Sequence, residues 1–101
     1  MKAFISQPMT GLTKEEIEEN RKRAREFLEA KGYEVIESLF DLSNVVSKNV
    51  PLKALGMSIM ALAEADVIYV MQGYQHAKGC LVELQAAQEY GVAILFEQSD
   101  Q

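Results

Sequence analysis

Apolar positions in this chain follow two rhythms, strand-like runs and helix-like stripes, in alternation. Lys2 to Ser6 contains the β-prone run Ala3-Phe4-Ile5 and stops at Gln7-Pro8, where proline removes a ladder donor and holds the preceding residue extended. A first strand is predicted there, followed by a loop through Gly11. Thr13-Lys14-Glu15-Glu16 has capping-box spacing, in which the hydroxyl takes the amide of Glu16 and the Glu16 carboxylate reaches back. Behind it Ile17, Ala24, Phe27, Leu28 and Lys31 share one helical stripe, and Gly32 supplies a left-handed stop. Tyr33 to Ile36 then reads as a second strand.

From Glu37 to Val50 the periodicity fails, and a loop with at most one helical turn is expected. Pro51 suits the first position of a second helix, with Leu52, Leu55, Ile59, Leu62 and Ala63 at helical spacing up to Ala65. Val67 to Met71 is a near-continuous apolar run, as in an inner strand covered on both faces. After a polar loop from Gln72 to Lys78, residues Gly79 to Tyr90 read as a third helix with Leu81, Leu84 and Ala87 inward. Gly91 ends it, and Val92 to Phe96 makes a fourth strand. The last five residues are expected to be loose. Strands alternating with helices predict one α/β domain over residues 1–101: three layers, with a short parallel sheet of about four strands flanked by helices. Ligands of such sheets bind outside the carboxyl ends of the strands, which singles out the loops at 7–12, 37–50 and 72–79.

Charge and length narrow the function classes. Fifteen acidic against ten basic residues give a net charge of -5, which disfavours duplex nucleic acid, since that partner needs a basic face. No apolar stretch approaches the roughly 20 residues that cross a bilayer, so no membrane partner is expected. Cys80 is alone, leaving no intrachain disulfide and no zinc site of cysteine pairs. With Met1 leading directly into a strand and no signal peptide, a cytoplasmic setting is expected. No metal site and no cofactor is expected, and neither a G-x-G-x-x-G nor a Walker lysine motif is present. Domains of this size bury a modest share of their surface, so a homo-oligomer is the expected form.

Two loops hold candidate chemistry. Ser6-Gln7-Pro8-Met9-Thr10-Gly11 joins a rigid turn to a flexible glycine and carries side-chain donors, although its composition also suits an ordinary connection. In the segment from Gly73 to Glu83, glycines bracket a strand-to-helix turn whose free amides suit an anion or a polar sugar. Glu83, about one turn into the helix, either attacks an electrophilic sugar carbon or serves only the helix dipole; on both readings it is expected to stay ionised. The helix stripe places it at the sheet's edge, outside the core. His76 reads as an exposed loop residue and Cys80 as a small buried one. Met57, Met60 and Met71 read as core, and Arg21, Lys22, Arg23 and Arg25 as a solvated face among glutamates.

Phe4-Ile5-Ser6-Gln7-Pro8-Met9-Thr10-Gly11, Leu55-Gly56-Met57-Ser58, Ala65-Asp66, and Gly73-Tyr74 through Lys78-Gly79-Cys80-Leu81-Val82-Glu83 together resemble the nucleoside 2-deoxyribosyltransferase-like family, most closely its compact DUF4406 branch. The resemblance runs from Met1 to about Leu95. It implies a flavodoxin-like fold, oligomers that complete one another's sites, and a glutamate nucleophile that cleaves the N-glycosidic bond of a deoxynucleoside or its monophosphate. Residue by residue it makes Glu83 the nucleophile, Gln7 to Gly11 the loop lining sugar and base, and Gly79 the turn glycine beside the sugar. Ser6, Met9, Thr10, Ser58, Gly73, Tyr74, Ala77 and Lys78 complete the expected substrate-binding set. Two positions depart from the pattern: Ala77 stands where transferases carry an aspartate and the related N-hydrolases a serine, and Ser58 where another acid is usual. Three readings follow: an enzyme of N-glycosidic bond cleavage or transfer, a non-catalytic nucleoside- or nucleotide-binding module, and a self-associating protein without a small ligand.

Overall fold

The computed structural model describes residues 1–98. Strand β1 covers Lys2–Ser6, helix α1 Lys14–Ala30, strand β2 Glu34–Val35, helix α2 Val50–Leu62, strand β3 Val67–Val70, helix α3 Lys78–Glu89 and strand β4 Ala93–Phe96. All four strands pair in parallel, in the order β2-β1-β3-β4. The chain therefore steps from β1 to β2 in one direction, then crosses back over β1 to β3 and on to β4. This reversal lies between β1 and β3, and their carboxyl ends open the crevice where such sheets take ligands.

The layers follow from strand alternation. Ala3, Ile5, Val67, Tyr69 and Met71 face α1 through Ala24 and Leu28, while Phe4, Ile68 and Val70 face α2 and α3 through Leu62 and Ala87. The three-layer arrangement expected from the element order, flavodoxin-like as the family resemblance implied, is what the chain adopts. The central strand β3 is buried along its whole length, as its apolar run implies.

Local chemistry sets the element ends. The capping box is complete: the Glu16 amide donates to Thr13 Oγ1 and the Thr13 amide to Glu16 Oε1, both at 3.1 Å. Gly32 has φ +89°, a conformation that costs other residues a Cβ clash. Helix α2 begins one residue before Pro51 because the Asn49 side chain caps it, accepting from the Leu52 amide at 3.0 Å. Residues 36–49 form the expected irregular connection, with one hydrogen-bonded turn from Leu42 to Val45.

Several expectations are corrected. Arg21 is not on a solvated face: it is buried and reaches Glu37 at 3.5 Å and Ser38 Oγ at 3.4 Å, tying α1 to the long connection. Met60 is 74% exposed and Leu52 is exposed too, because α2 covers the sheet mainly through Ile59 and Leu62. On α3, Ala87 is buried and Leu84 packs against the core as expected, but Leu81 is exposed and Cys80 and Glu83 turn inward beside them. Cys80, Glu83, Leu84 and Ala87 stand at i, i+3, i+4 and i+7, a single helical face. Glu97 is not loose; its amide extends β4 onto the Val70 carbonyl at 2.8 Å and its carboxylate takes Arg23 at 3.0 Å. Of the rest of the expected loose tail, Gln98 is exposed outside any strand or helix, and residues 99–101 lie outside the described residues.

The two helical registers can be tested by stability. Leu28→Ala, at a fully covered position, is expected to lower the unfolding free energy by about 2–5 kcal/mol. At a protein concentration low enough to keep the chain monomeric, Met60→Ala should change it by no more than about 0.5 kcal/mol. Urea unfolding of both variants checks the assignment, and a large loss at Met60 would contradict it.

Candidate functional site

The carboxyl ends of β1 and β3 meet the amino end of α3 over a cleft of about 540 Å³. Its walls come from Gln7, Met9 and Thr10 after β1, from Pro51, Ala54, Leu55 and Ser58 on α2, and from His76, Ala77, Lys78, Gly79, Cys80 and Glu83 around the start of α3. A smaller cavity of about 30 Å³ lies against Glu83, Gln7, Met9 and Ser58 and continues to Arg21, Ser38 and Leu39.

Glu83 is the charged group at the base of this cleft. It is 8% exposed, and its Oε1 accepts a hydrogen bond from Ser6 Oγ at 2.7 Å across 77 residues of sequence. It lines the crevice beside the loop after β1, where it was expected, but its burial corrects the expectation that it lies outside the core. It also corrects the expectation that the group stays ionised, because burial pushes the Glu83 carboxyl up to about 7, an effect the Ser6 hydroxyl only partly offsets. Glu83 is the sixth residue of α3, beyond the first turn where the helix dipole acts most strongly. Desolvation wins.

Ser6 and Gln7 reach opposite sides of the sheet, as successive strand residues must. Ser6 is wholly buried and turns toward α3, so it supports Glu83 and does not line the cleft. Gln7 turns toward α1, and its Nε2 donates to the Ile17 carbonyl at 2.7 Å. Its Oε1 is covered and unpartnered among the described residues. Cys80 is buried, as expected, and burial pushes its thiol up to about 11, which leaves no thiolate for chemistry near neutral pH. Ala77 caps α3 without a side-chain acceptor, so the first amides of the helix have no side-chain partner.

The structure brings most of the expected residues together. Gln7, Met9, Thr10, Ser58, Ala77, Lys78, Gly79 and Glu83 all line the one cleft. Gly11 lies outside it, and Gly73 and Tyr74 line a different depression with Phe96 and Glu97, where the Tyr74 ring packs on Phe96 at 5.5 Å. The α2 wall went largely unread in the sequence. Pro51, Ala54, Leu55 and Ser58 stand at i, i+3, i+4 and i+7, a spacing that marks one helical face and could have found it. His76 is exposed as expected, yet lies on the cleft rim. Among the described residues no group of His, Cys, Asp and Glu could hold a metal ion, and no helix is long and apolar enough to cross a membrane.

The Glu83 carboxyl gives stability a pH dependence of definite sign. Its folded pKa lies above the unfolded value, so the folded state retains the proton and stability falls as pH rises from about 4.5 to about 7. Glu83→Gln is expected to flatten that fall and to raise stability at pH 8 by on the order of 3 kcal/mol. Thermal unfolding at pH 5 and pH 8 checks it, and an equal response in both proteins would contradict it.

No curated protein and no solved structure matches the chain. One family model does, described as Domain of unknown function (DUF4406), over residues 1–96. Those residues contain all four strands, all three helices and every group of the Glu83 cleft, so the chain belongs to the DUF4406 family.

Proposed function

We propose that the cleft binds a deoxynucleoside or deoxynucleoside monophosphate and cleaves or transfers its N-glycosidic bond through Glu83. The observation that carries this reading is a carboxyl buried at the base of an open cleft, beside the loop after β1 and the uncapped start of α3. A carboxylate that a structure keeps out of water is costly, and such placements concentrate at functional sites. The resemblance of the Gln7 to Gly11 and Gly79 to Glu83 segments to nucleoside 2-deoxyribosyltransferases supplies the reaction class.

In this mechanism the ionised Glu83 attacks the anomeric carbon through an oxocarbenium-like transition state, and the base departs with the C–N electron pair and takes up a proton. Water or a second base then resolves the glycosyl-enzyme. The free amides and Lys78 at the α3 start suit the polar or anionic end of the ligand. A second reading, a binding module without catalysis, is favoured by Ala77 and Ser58, which offer no acid where the resembling transferases carry one.

Base release from a panel of deoxynucleosides and their 5'-monophosphates separates the two. Catalysis predicts free base from at least one member, a rate that rises with pH through about 7 as Glu83 ionises, and a loss of several orders of magnitude in Glu83→Gln. Binding without base release would leave only the module. Self-association is also proposed, on the exposed Leu52 and Met60 of α2 and Leu81 and Val82 of α3. Light scattering at tens of micromolar should give a mass above the 11.3 kDa of one chain.

A further inference from the structure

The two oxygens of Glu83 have unlike surroundings. Oε1 holds the Ser6 hydroxyl at 2.7 Å. Oε2 has no hydrogen-bond partner among the described residues, yet it is not sealed in: there, the only side-chain polar atom both covered and unpartnered is Gln7 Oε1. Oε2 therefore keeps contact with the open space that Glu83 lines. Ser6 has no exposure at all, so its hydroxyl is committed inside the protein.

We propose that Ser6 is a positioning residue for Glu83, occupying Oε1 and orienting the carboxyl so that Oε2 is the oxygen that meets ligand. The geometry stands by itself; the identity of the reaction rests on the glycosidic reading above. In that reaction Oε2 forms the bond to the anomeric carbon, the C–N bond breaks with its electron pair going to the base, and the base takes up a proton. Oε1 becomes the carbonyl oxygen of the resulting ester. Water then adds to the same carbon, loses a proton, and Oε2 leaves with the bonding pair as carboxylate. A hydrogen bond to an ionised acceptor is roughly twice as strong as one to a neutral acceptor. Ser6 therefore stabilises the free carboxylate more than the ester and speeds the second step. For the same reason it holds the carboxyl pKa below the value that burial alone would give.

The primary test needs no substrate. The Glu83 carboxyl is titrated by carbon-detected NMR in the full chain, as wild type, Ser6→Ala and Ser6→Thr. The expected midpoint lies near about 7 in the wild type, higher in Ser6→Ala, and back at the wild-type value in Ser6→Thr, which keeps the hydroxyl. An unchanged midpoint in Ser6→Ala overturns the proposal. Should that variant not fold, the wild type still decides: a slowly exchanging Ser6 hydroxyl proton that shifts as Glu83 titrates supports the bond, and its absence overturns it. With a deoxynucleoside that is cleaved, Ser6→Ala should move the acid limb of the base-release profile to higher pH and lower kcat and KM together several-fold as the glycosyl-enzyme accumulates. An unmoved profile counts against positioning. No base release from the wild type removes the glycosidic reading alone, leaving the positioning role to the titration.

Discussion

The contact between the Ser6 hydroxyl and the Glu83 carboxyl joins the end of β1 to the second turn of α3, and the candidate site is arranged around it. A carboxyl enters a protein interior only with a donor to meet it. Ser6 is the one buried serine of the first strand, and it meets that need from the strand next to the one that feeds α3. The contact fixes the rotation of α3 about its axis. With Glu83 inward, Cys80 and Ala87 follow it on the same stripe and Leu81 turns out to solvent.

That arrangement sets stability against chemistry. Burial holds part of the Glu83 population protonated near neutral pH, so the folded state gives up free energy in keeping an ionisable group at this place. A leucine or glutamine of similar size would suit the interior better. Natural sequences retain such local conflicts mainly where function requires them. Gln7 shows a milder conflict beside it, with one end of its amide satisfied by Ile17 and the other covered and unpartnered.

The remaining walls are lightly held. Helix α2 leaves Leu52 and Met60 exposed and meets the sheet through Ile59 and Leu62, so the face carrying Pro51, Ala54, Leu55 and Ser58 toward the cleft is supported mostly from its far end. The connection before it is drawn toward α1 by Glu37, which takes both Arg21 and Arg25. Buried Arg21 thus does structural duty at the rim of the small cavity that reaches Glu83.

The sequence by itself determined the element order, the parallel sheet and the loops where a ligand could bind, because capping residues, glycine stops and apolar period are local signals. Thr13 with Glu16, Gly32, and the run from Val67 needed no distant partner to be legible. The same local signals placed Leu84 and Ala87 inward, where both pack, but could not tell that Leu81 turns out and Glu83 turns in until Ser6 is placed opposite. Nor could they tell that Arg21 is buried, which depends on Glu37 and Ser38 returning past α1. Only the tertiary structure decided the protonation of Glu83: its position in the helix pointed to an ionised acid, and burial raises its carboxyl to about 7, so that part of the population keeps its proton near neutral pH.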